Sequence, residues 1–408
     1  MTTAPRSTSD HISTRAWLPQ RRLEWLALLA ILLLAGALRL GAPHISEFKR
    51  DEANLSLLAL DLANGRDLPL LGISSSVGFP NAPVSVYLLA IPFLLTSDPT
   101  AGVLWIGLLN LVSVAVVYAL ARRYYGVTAA LVAALTYAVS PWAVIYSRKI
   151  WAQDMLPLFV TLTIASGLAG FVEGRRWGQW AHLPLLAFTV QIHFAAAAIA
   201  PVTLWLLLSG SLRLTRAFVG GIALALILTL PYLIGLARAG GSADVGRLAT
   251  RLTSATSSAP ANPATTFGYA FFTLAGTDIH ALAGPEQFEA FLASIPAIAY
   301  PLFTLYGAAL AIAALGLALR ALQRRAARSR VDMALLLWLI SAPLIFSVPW
   351  TASYPHYLIP ILPAAYVIFG AAIGDFVRWS AARERGLRIA LVGAGALLAL
   401  TLALQVVL

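Results

Sequence analysis

No cysteine occurs anywhere in the chain. That excludes disulfides, thiolate metal sites and a cysteine nucleophile. Charge is nearly as scarce. Asp, Glu, Lys and Arg make up 11% of the 408 residues, against 60% hydrophobic, too little to cover the surface of a soluble domain. Also missing are a Gly-rich phosphate loop, a paired-His zinc motif and a serine nucleophile turn. No internal repeat is visible, which removes the usual sign of a transporter built from duplicated halves. What the chain does have is a succession of apolar runs of about 20 residues, each long enough to cross a bilayer, and a mean hydropathy of +0.81. The class this predicts is an all-α integral membrane protein, one polytopic bundle rather than two or three soluble domains. In a soluble protein the net charge of +11 would point to nucleic acid. In a membrane protein its distribution sets orientation instead, and no nucleic-acid partner is expected.

Eleven transmembrane helices are expected, at 23–41, 100–121, 127–147, 155–172, 180–191, 194–209, 215–236, 292–320, 332–349, 355–376 and 387–407. The arginine-bearing stretch before Leu23 precedes a run too long for a secretory h-region and without a small-residue cleavage site, so the first run reads as an uncleaved span. Either 180–191 and 194–209 are two short spans meeting at Gln191–His193, or they form one long broken helix. The 13-residue run Val84–Thr96 is too short to span and contains Pro92, and it reads as an interfacial or re-entrant helix. With that run not spanning, 19 of the 28 basic residues fall inside with the N-terminus and 9 outside, while 6 of the 17 acids fall inside and 11 outside. Letting it span would move every later basic cluster to the outer face, against the positive-inside rule. The expected site is therefore a plasma or inner membrane protein with a cytoplasmic N-terminus. Its outer segments 42–99 and 237–291 are long enough to carry function, and Phe267–Leu274 is expected to lie against the membrane.

Four clusters of chemistry-bearing residues map to the outer side. The first is Glu47-Phe48-Lys49-Arg50-Asp51-Glu52, with adjacent carboxylates and cations just past a span. Ionisable groups near lipid are candidates for function. Of Asp51 and Glu52, one can act as a base while the other binds a hydroxyl or caps a helix. Alternatively both are N-terminal charges on the helix 52–64, favoured by its dipole. The second is Tyr146, Arg148, Lys149, Trp151, Gln153 and Asp154, where paired cations suit a phosphate or pyrophosphate or anchor the helix to lipid. The third is Gln191 with His193, a binding pair or a satisfied structural one. The fourth is Trp350, Tyr354, His356 and Tyr357, an interfacial aromatic belt or a binding wall. Arg39, near the outer end of the first span, can neutralise Asp51 or a substrate phosphate. Asp278 and His280 have metal-compatible spacing, but two ligands do not make a site, so no metal ligands and no cofactor are predicted.

On these residues the chain resembles the multi-spanning GT-C type glycosyltransferases that use polyprenyl-phosphate sugars, among them protein O-mannosyltransferases and lipid A aminoarabinose transferases. The features run in order: Arg39 ending the first span, Arg50-Asp51-Glu52-Ala53 opening the outer loop, and an interfacial helix. Then come Ala121-Arg122-Arg123-Tyr124-Tyr125-Gly126, Ser140-Pro141, Tyr146-Ser147-Arg148 leading to Trp151 and Asp154, His193, and Tyr354 with His356-Tyr357. The resemblance implies a GT-C-like catalytic module over 1–376, with 377–408 a cytoplasmic loop and last transmembrane helix. It implies Asp51 as general base, Glu52 beside it in substrate binding, Arg148 as a phosphate contact and Asp154 as the second outer acid. The further substrate or phosphate contacts expected are Arg39, Lys49, Arg50, Lys149, Gln153, Gln191, His193, Tyr354, His356 and Tyr357. The expected reaction is inverting transfer from a polyprenyl-phosphate sugar to the hydroxyl of a lipid, glycan or protein acceptor, on the outer face among membrane lipids. The rival reading is a transporter or flippase for a lipid-linked sugar or other amphiphile, without chemistry. It would place charges at mid-membrane and show pseudo-symmetric halves, and the sequence shows neither.

Overall fold

A computed structural model of the chain describes residues 17–74, 80–211, 214–240, 262–279, 284–323, 328–348, 353–381 and 385–408. The described residues form helices throughout, with one isolated antiparallel bridge between Ser74 and Pro80. The α-helices are α1 Trp17–Leu40, α2 Arg50–Ala63, α3 Val84–Phe93, α4 Pro99–Tyr125, α5 Val127–Val139, α6 Pro141–Tyr146, α7 Leu156–Gly167 and α8 Arg176–Ile192. They continue with α9 Ala200–Leu206, α10 Arg216–Arg238, α11 Pro263–Ala275, α12 Pro285–Ser294, α13 Ala299–Leu322, α14 Ser329–Ile345, α15 Leu362–Ala381 and α16 Arg385–Val407. Among the described residues six segments are long and apolar enough to cross a membrane: Arg21–Leu40, Pro99–Tyr125, Ala152–Val172, Arg216–Arg238, Ala299–Leu322 and Pro355–Ser380. The other expected crossings fall on shorter or more polar helices.

Close packing rests on small residues. α5 buries Ala129, Ala130, Ala133, Ala134 and Tyr137 along one side, and Gly370 and Gly374 of α15 lie against it. A Cβ on Gly370 would sit 2.3 Å from the Ala129 carbonyl oxygen. Spaced four apart, these glycines let two backbones approach as in membrane helix pairs, where van der Waals packing replaces the hydrophobic drive.

Ionic contacts at the two ends of the bundle fix the helix directions. At one end, Arg122 of α4 reaches Glu24 of α1 at 2.6 Å, and Arg123 pairs with Glu173 just past the helix Leu168–Val172. At that end too, buried Asp332 accepts from the Tyr125 hydroxyl at 2.6 Å and from Arg320 at 2.5 Å, while Asp375 gathers Arg320, Arg328 and Arg378. The opposite end holds the C-termini of α1, α5 and α8 and the start of α2. These are the ends that the charge count assigns to the outer face.

Several expected elements take a definite form. The run beginning at Val84 is a ten-residue helix, and its Val84, Val86, Leu89 and Phe93 are buried. The segment 180–209 breaks at His193, whose backbone is extended between α8 and the 3-10 helix Phe194–Ile199. The element at Phe267–Leu274 lies in α11, capped by the Asn262 side chain accepting from Thr265 N at 2.9 Å. The expected span 292–320 begins later, at Ala299, and α12 stands apart before it because Ile295 and Pro296 end that helix. Residues 241–261 of the outer segment 237–291, together with Trp350 and His280, lie outside the described residues.

Candidate active site

Two breaks in the helices build the site. α5 ends at Ser140, where Pro141 starts α6 and the Ser140 hydroxyl caps it. The last carbonyls of a helix have no partners within it. Buried Arg39 takes two of them, donating from Nη1 to Ala138 O at 2.6 Å and from Nη2 to Tyr137 O at 3.1 Å, with its guanidinium over the Tyr137 ring. Just after α6, Arg148 returns the arrangement to α1. It donates from Nη1 to Leu38 O at 2.8 Å and from Nη2 to Ala42 O at 2.9 Å. Two arginines thus cap each other's neighbouring helix ends, as cations at helix C-termini do, and α1 and α6 are held in fixed register.

From that frame the chain enters α2. Lys49 N donates to Glu52 Oε2 at 3.0 Å, so Glu52 closes the first turn as the N3 partner of a capping box. Its side chain is buried, and the neighbouring Asp51 is exposed. Consecutive residues on a helix face different directions, and here one carboxylate points into protein and the other into open space.

Opposite Glu52 stands Lys149, 3.3 Å from its Oε1, also paired with Glu47 and lying 3.4 Å from the centre of the Trp151 ring. Glu47 is shared with Lys49. The Lys149 ammonium, and then that of Lys49, hold the Glu47 carboxyl below its usual range, and Glu47 raises Lys49 in turn. A buried carboxylate with one cation is a fixed pair, because removing the cation leaves an uncompensated charge. The third wall is aromatic. His356 meets Trp151 edge-on at 5.2 Å and stacks on Tyr354 at 5.3 Å, and Tyr357 packs against both His356 and the His193 ring.

These groups enclose a cavity of about 500 Å³ lined by Glu47, Lys49, Arg50, Asp51, Glu52, Ile145, Tyr146, Lys149, Trp151, Tyr354, Pro355 and His356. A second cavity of about 670 Å³ adjoins it along α2, lined by Arg50, Asp51, Asn54, Leu57, Leu58, Asp61 and the backbone run Gly72–Ser74. Arg50 and Asp51 belong to both.

The four sequence clusters therefore meet, but not every member reaches the cavity. Arg39 neither pairs with Asp51 nor faces a ligand space, since its guanidinium is committed to carbonyls of α5. Arg148 is committed in the same way to α1. Gln191 is buried, donating to Ala187 O and Leu228 O at 3.2 Å each. His193 Nδ1 accepts from Ala195 N at 3.1 Å, a cap on the next helix. Gln153 and Asp154 are buried. Asn110 holds the Asp154 backbone oxygen at 2.8 Å, while the Asp154 carboxylate has no hydrogen-bond partner. Asp278 accepts from the Tyr300 hydroxyl at 2.8 Å. Among the described residues no three His, Cys, Asp or Glu side chains converge on a metal-binding point.

Sequence reasoning missed the second cavity. Its signal was the spacing of Asp51, Asn54, Leu58 and Asp61, which places them on one face of α2. The cross-bridging role of Glu47 carried no signal, since it joins chain segments 102 residues apart.

The bundle has the GT-C fold of membrane proteins, as its likeness to solved structures shows. ArnT from Cupriavidus metallidurans bound to undecaprenyl phosphate superposes with a TM-score of 0.61 at 15% identity, over 88% of this chain and 60% of that one. Archaeoglobus fulgidus AglB, an oligosaccharyltransferase in complex with an inhibitory peptide and a dolichol-phosphate, gives 0.56 at 17% identity, over 96% and 56%. The same enzyme with zinc and sulfate gives 0.58 at 16%, over 93% and 52%. The chain spans less than two thirds of the length of these structures. Within the class, residues 80–234 match the family model for dolichyl-phosphate-mannose-protein mannosyltransferases, a segment that holds Lys149 and Trp151 but neither α2 nor His356. No curated protein matches the sequence.

Proposed function

We propose that this chain is a membrane glycosyltransferase that moves a sugar from a polyprenyl-phosphate donor to an acceptor hydroxyl with inversion. The observation that carries the reading is Asp51, an exposed carboxylate shared by two adjoining cavities and flanked by Lys49, Arg50 and Lys149. Two substrates entering from the two cavities meet at that carboxylate. As the acceptor oxygen attacks the anomeric carbon, its proton passes to Asp51. The bond from that carbon to the phosphate oxygen breaks, and its electron pair leaves with the lipid phosphate. The cations offset the charge that builds on the leaving group, where fixed charges act most strongly. Trp151, Tyr354 and His356 give the sugar an aromatic wall. Glu52 positions Asp51 by closing the first turn of α2 and holding Lys149.

The lipid phosphates in the ArnT and AglB structures support a lipid-phosphate donor. The basic excess at the end opposite the site supports a cytoplasmic N-terminus and a site on the outer face. In this reading 1–376 is the catalytic module, with outer loops 42–99 and 237–291, and 377–408 supplies a cytoplasmic loop and the final crossing.

The test is transfer from a panel of radiolabelled polyprenyl-phosphate sugars by purified protein in liposomes, with membrane extract as acceptor, wild type beside Asp51→Asn. The variant should bind the donor and turn over about 10²–10⁴-fold more slowly, the usual contribution of a general base. Donor binding by both proteins with consumption by neither would replace the enzyme reading with transport.

A further inference from the structure

A third cavity, of about 200 Å³, lies at the same end of the bundle and shares Ile145 with the candidate active site. α6 supplies one wall through Pro141, Val144 and Ile145. The segment Gly276–Ile279, the start of α13 and the last turn of α16 close the rest. Most of the lining is hydrocarbon, from Leu38, Val139, Val144, Phe303 and Val406. Set into it is a small polar end made by Thr277, Asp278, Tyr300 and Gln405.

Two of these polar groups are unusual. Gln405 is buried, in the apolar stretch Val392–Val407 of α16. Its Nε2 donates to Ala275 O at 3.0 Å, while its Oε1 accepts from nothing. The Thr277 hydroxyl is buried beside the Tyr300 hydroxyl. Buried acceptors are nearly always satisfied, and one that is not calls for an explanation. A polar side chain held within an apolar helix is costly and marks a candidate functional position. Asp278 adds a carboxylate whose one protein donor is Tyr300, and its backbone is left-handed at φ 56°. Such strain in a non-glycine residue persists where the surroundings fix it.

The chemistry of the occupant follows. The polar end offers acceptors and the Asp278 carboxylate, and among the described residues the lining contains no cation. A phosphate or carboxylate head would meet Asp278 unscreened, whereas a head that donates several hydrogen bonds would satisfy Gln405 Oε1, Thr277 and Asp278 together. The apolar walls take a hydrocarbon chain. We propose that this cavity binds an uncharged amphiphile whose head group donates hydroxyl hydrogen bonds. The proposal is independent of whether Asp51 is a base.

A photo-crosslinking monoacylglycerol tests it, with the full chain in phosphatidylcholine nanodiscs. Label should map to peptides covering 276–303 and 405–408, compete with unlabelled monoacylglycerol, and resist lysophosphatidic acid. Thr277→Val keeps shape and removes a hydroxyl that lines the cavity beside Tyr300, so the unfolding midpoint should fall by no more than one hydrogen bond accounts for while labelling falls about fivefold, the factor one hydrogen bond carries. Asp278→Asn should lower it further and open the site to lysophosphatidic acid. Label spread along lipid-facing helices, equal competition by the anionic lipid, or labelling unchanged in both variants would overturn the proposal.

Discussion

Replacing Arg148 with alanine separates two accounts of a residue that sequence pattern alone assigns to phosphate binding. In the structure its two terminal nitrogens donate to Leu38 O and Ala42 O, at 2.8 and 2.9 Å. Leu38 lies in the last turn of α1, where carbonyls lack helical partners, and Ala42 follows that helix, its oxygen also accepting from Ile45 N at 3.3 Å. A hydrogen bond with one charged partner contributes about 1.5–3 kcal/mol when buried. The bond to Leu38 O is part-buried and takes that value, while the exposed one to Ala42 O counts for less. Arg148→Ala should therefore destabilise the protein by about 2–4 kcal/mol. Arg148→Lys should recover only part of that, since a single ammonium does not reproduce the guanidinium fork. The assay pairs thermal unfolding in detergent, followed by tryptophan fluorescence, with binding of a polyprenyl-phosphate sugar below the unfolding midpoint. A lower midpoint with donor affinity within about threefold, less than one hydrogen bond's worth, is expected. An unchanged midpoint with donor affinity reduced tenfold or more, about 1.4 kcal/mol, would refute the capping role and return Arg148 to the phosphate.

Asp332→Asn should destabilise by about 1–3 kcal/mol, because it weakens a buried charge-assisted hydrogen bond to Arg320, which keeps Asp375 as its partner; equal donor affinity in the folded variant would confirm that this end of the bundle is structural. Glu47 has its folded pKa held below the unfolded value by Lys149 and Lys49, so its contribution is present above the unfolded pKa and lost as pH falls through the folded one. Unfolding midpoints measured from pH 6 downwards should fall more steeply in wild type than in Glu47→Gln, and parallel profiles would dismiss the pair. Gly370→Ala should cost about 1–3 kcal/mol by overpacking, since its Cβ meets the Ala129 carbonyl oxygen, and an unchanged midpoint would show that α5 and α15 separate freely.

By itself the sequence determined the class of molecule, because lipid tolerates only spanning segments that are apolar and internally hydrogen-bonded. It also determined that charged and aromatic clusters far apart in the chain gather at one end, because helix direction alternates and basic residues mark one side. Asp51 and Glu52 were legible as a pair with different roles, since adjacent helical residues cannot face the same way. Only the tertiary structure decided which members face the cavity. Arg39 and Arg148 read the same in sequence as Lys149, yet two of them cap helix ends and one lines the site. The breaks at Ser140 and after Leu40 leave carbonyls that must be satisfied, and which cation reaches them depends on how α1 and α5 pack. The second cavity, the cross-bridging by Glu47 and the unpartnered Gln405 depend in the same way on contacts between distant segments, which no local pattern records.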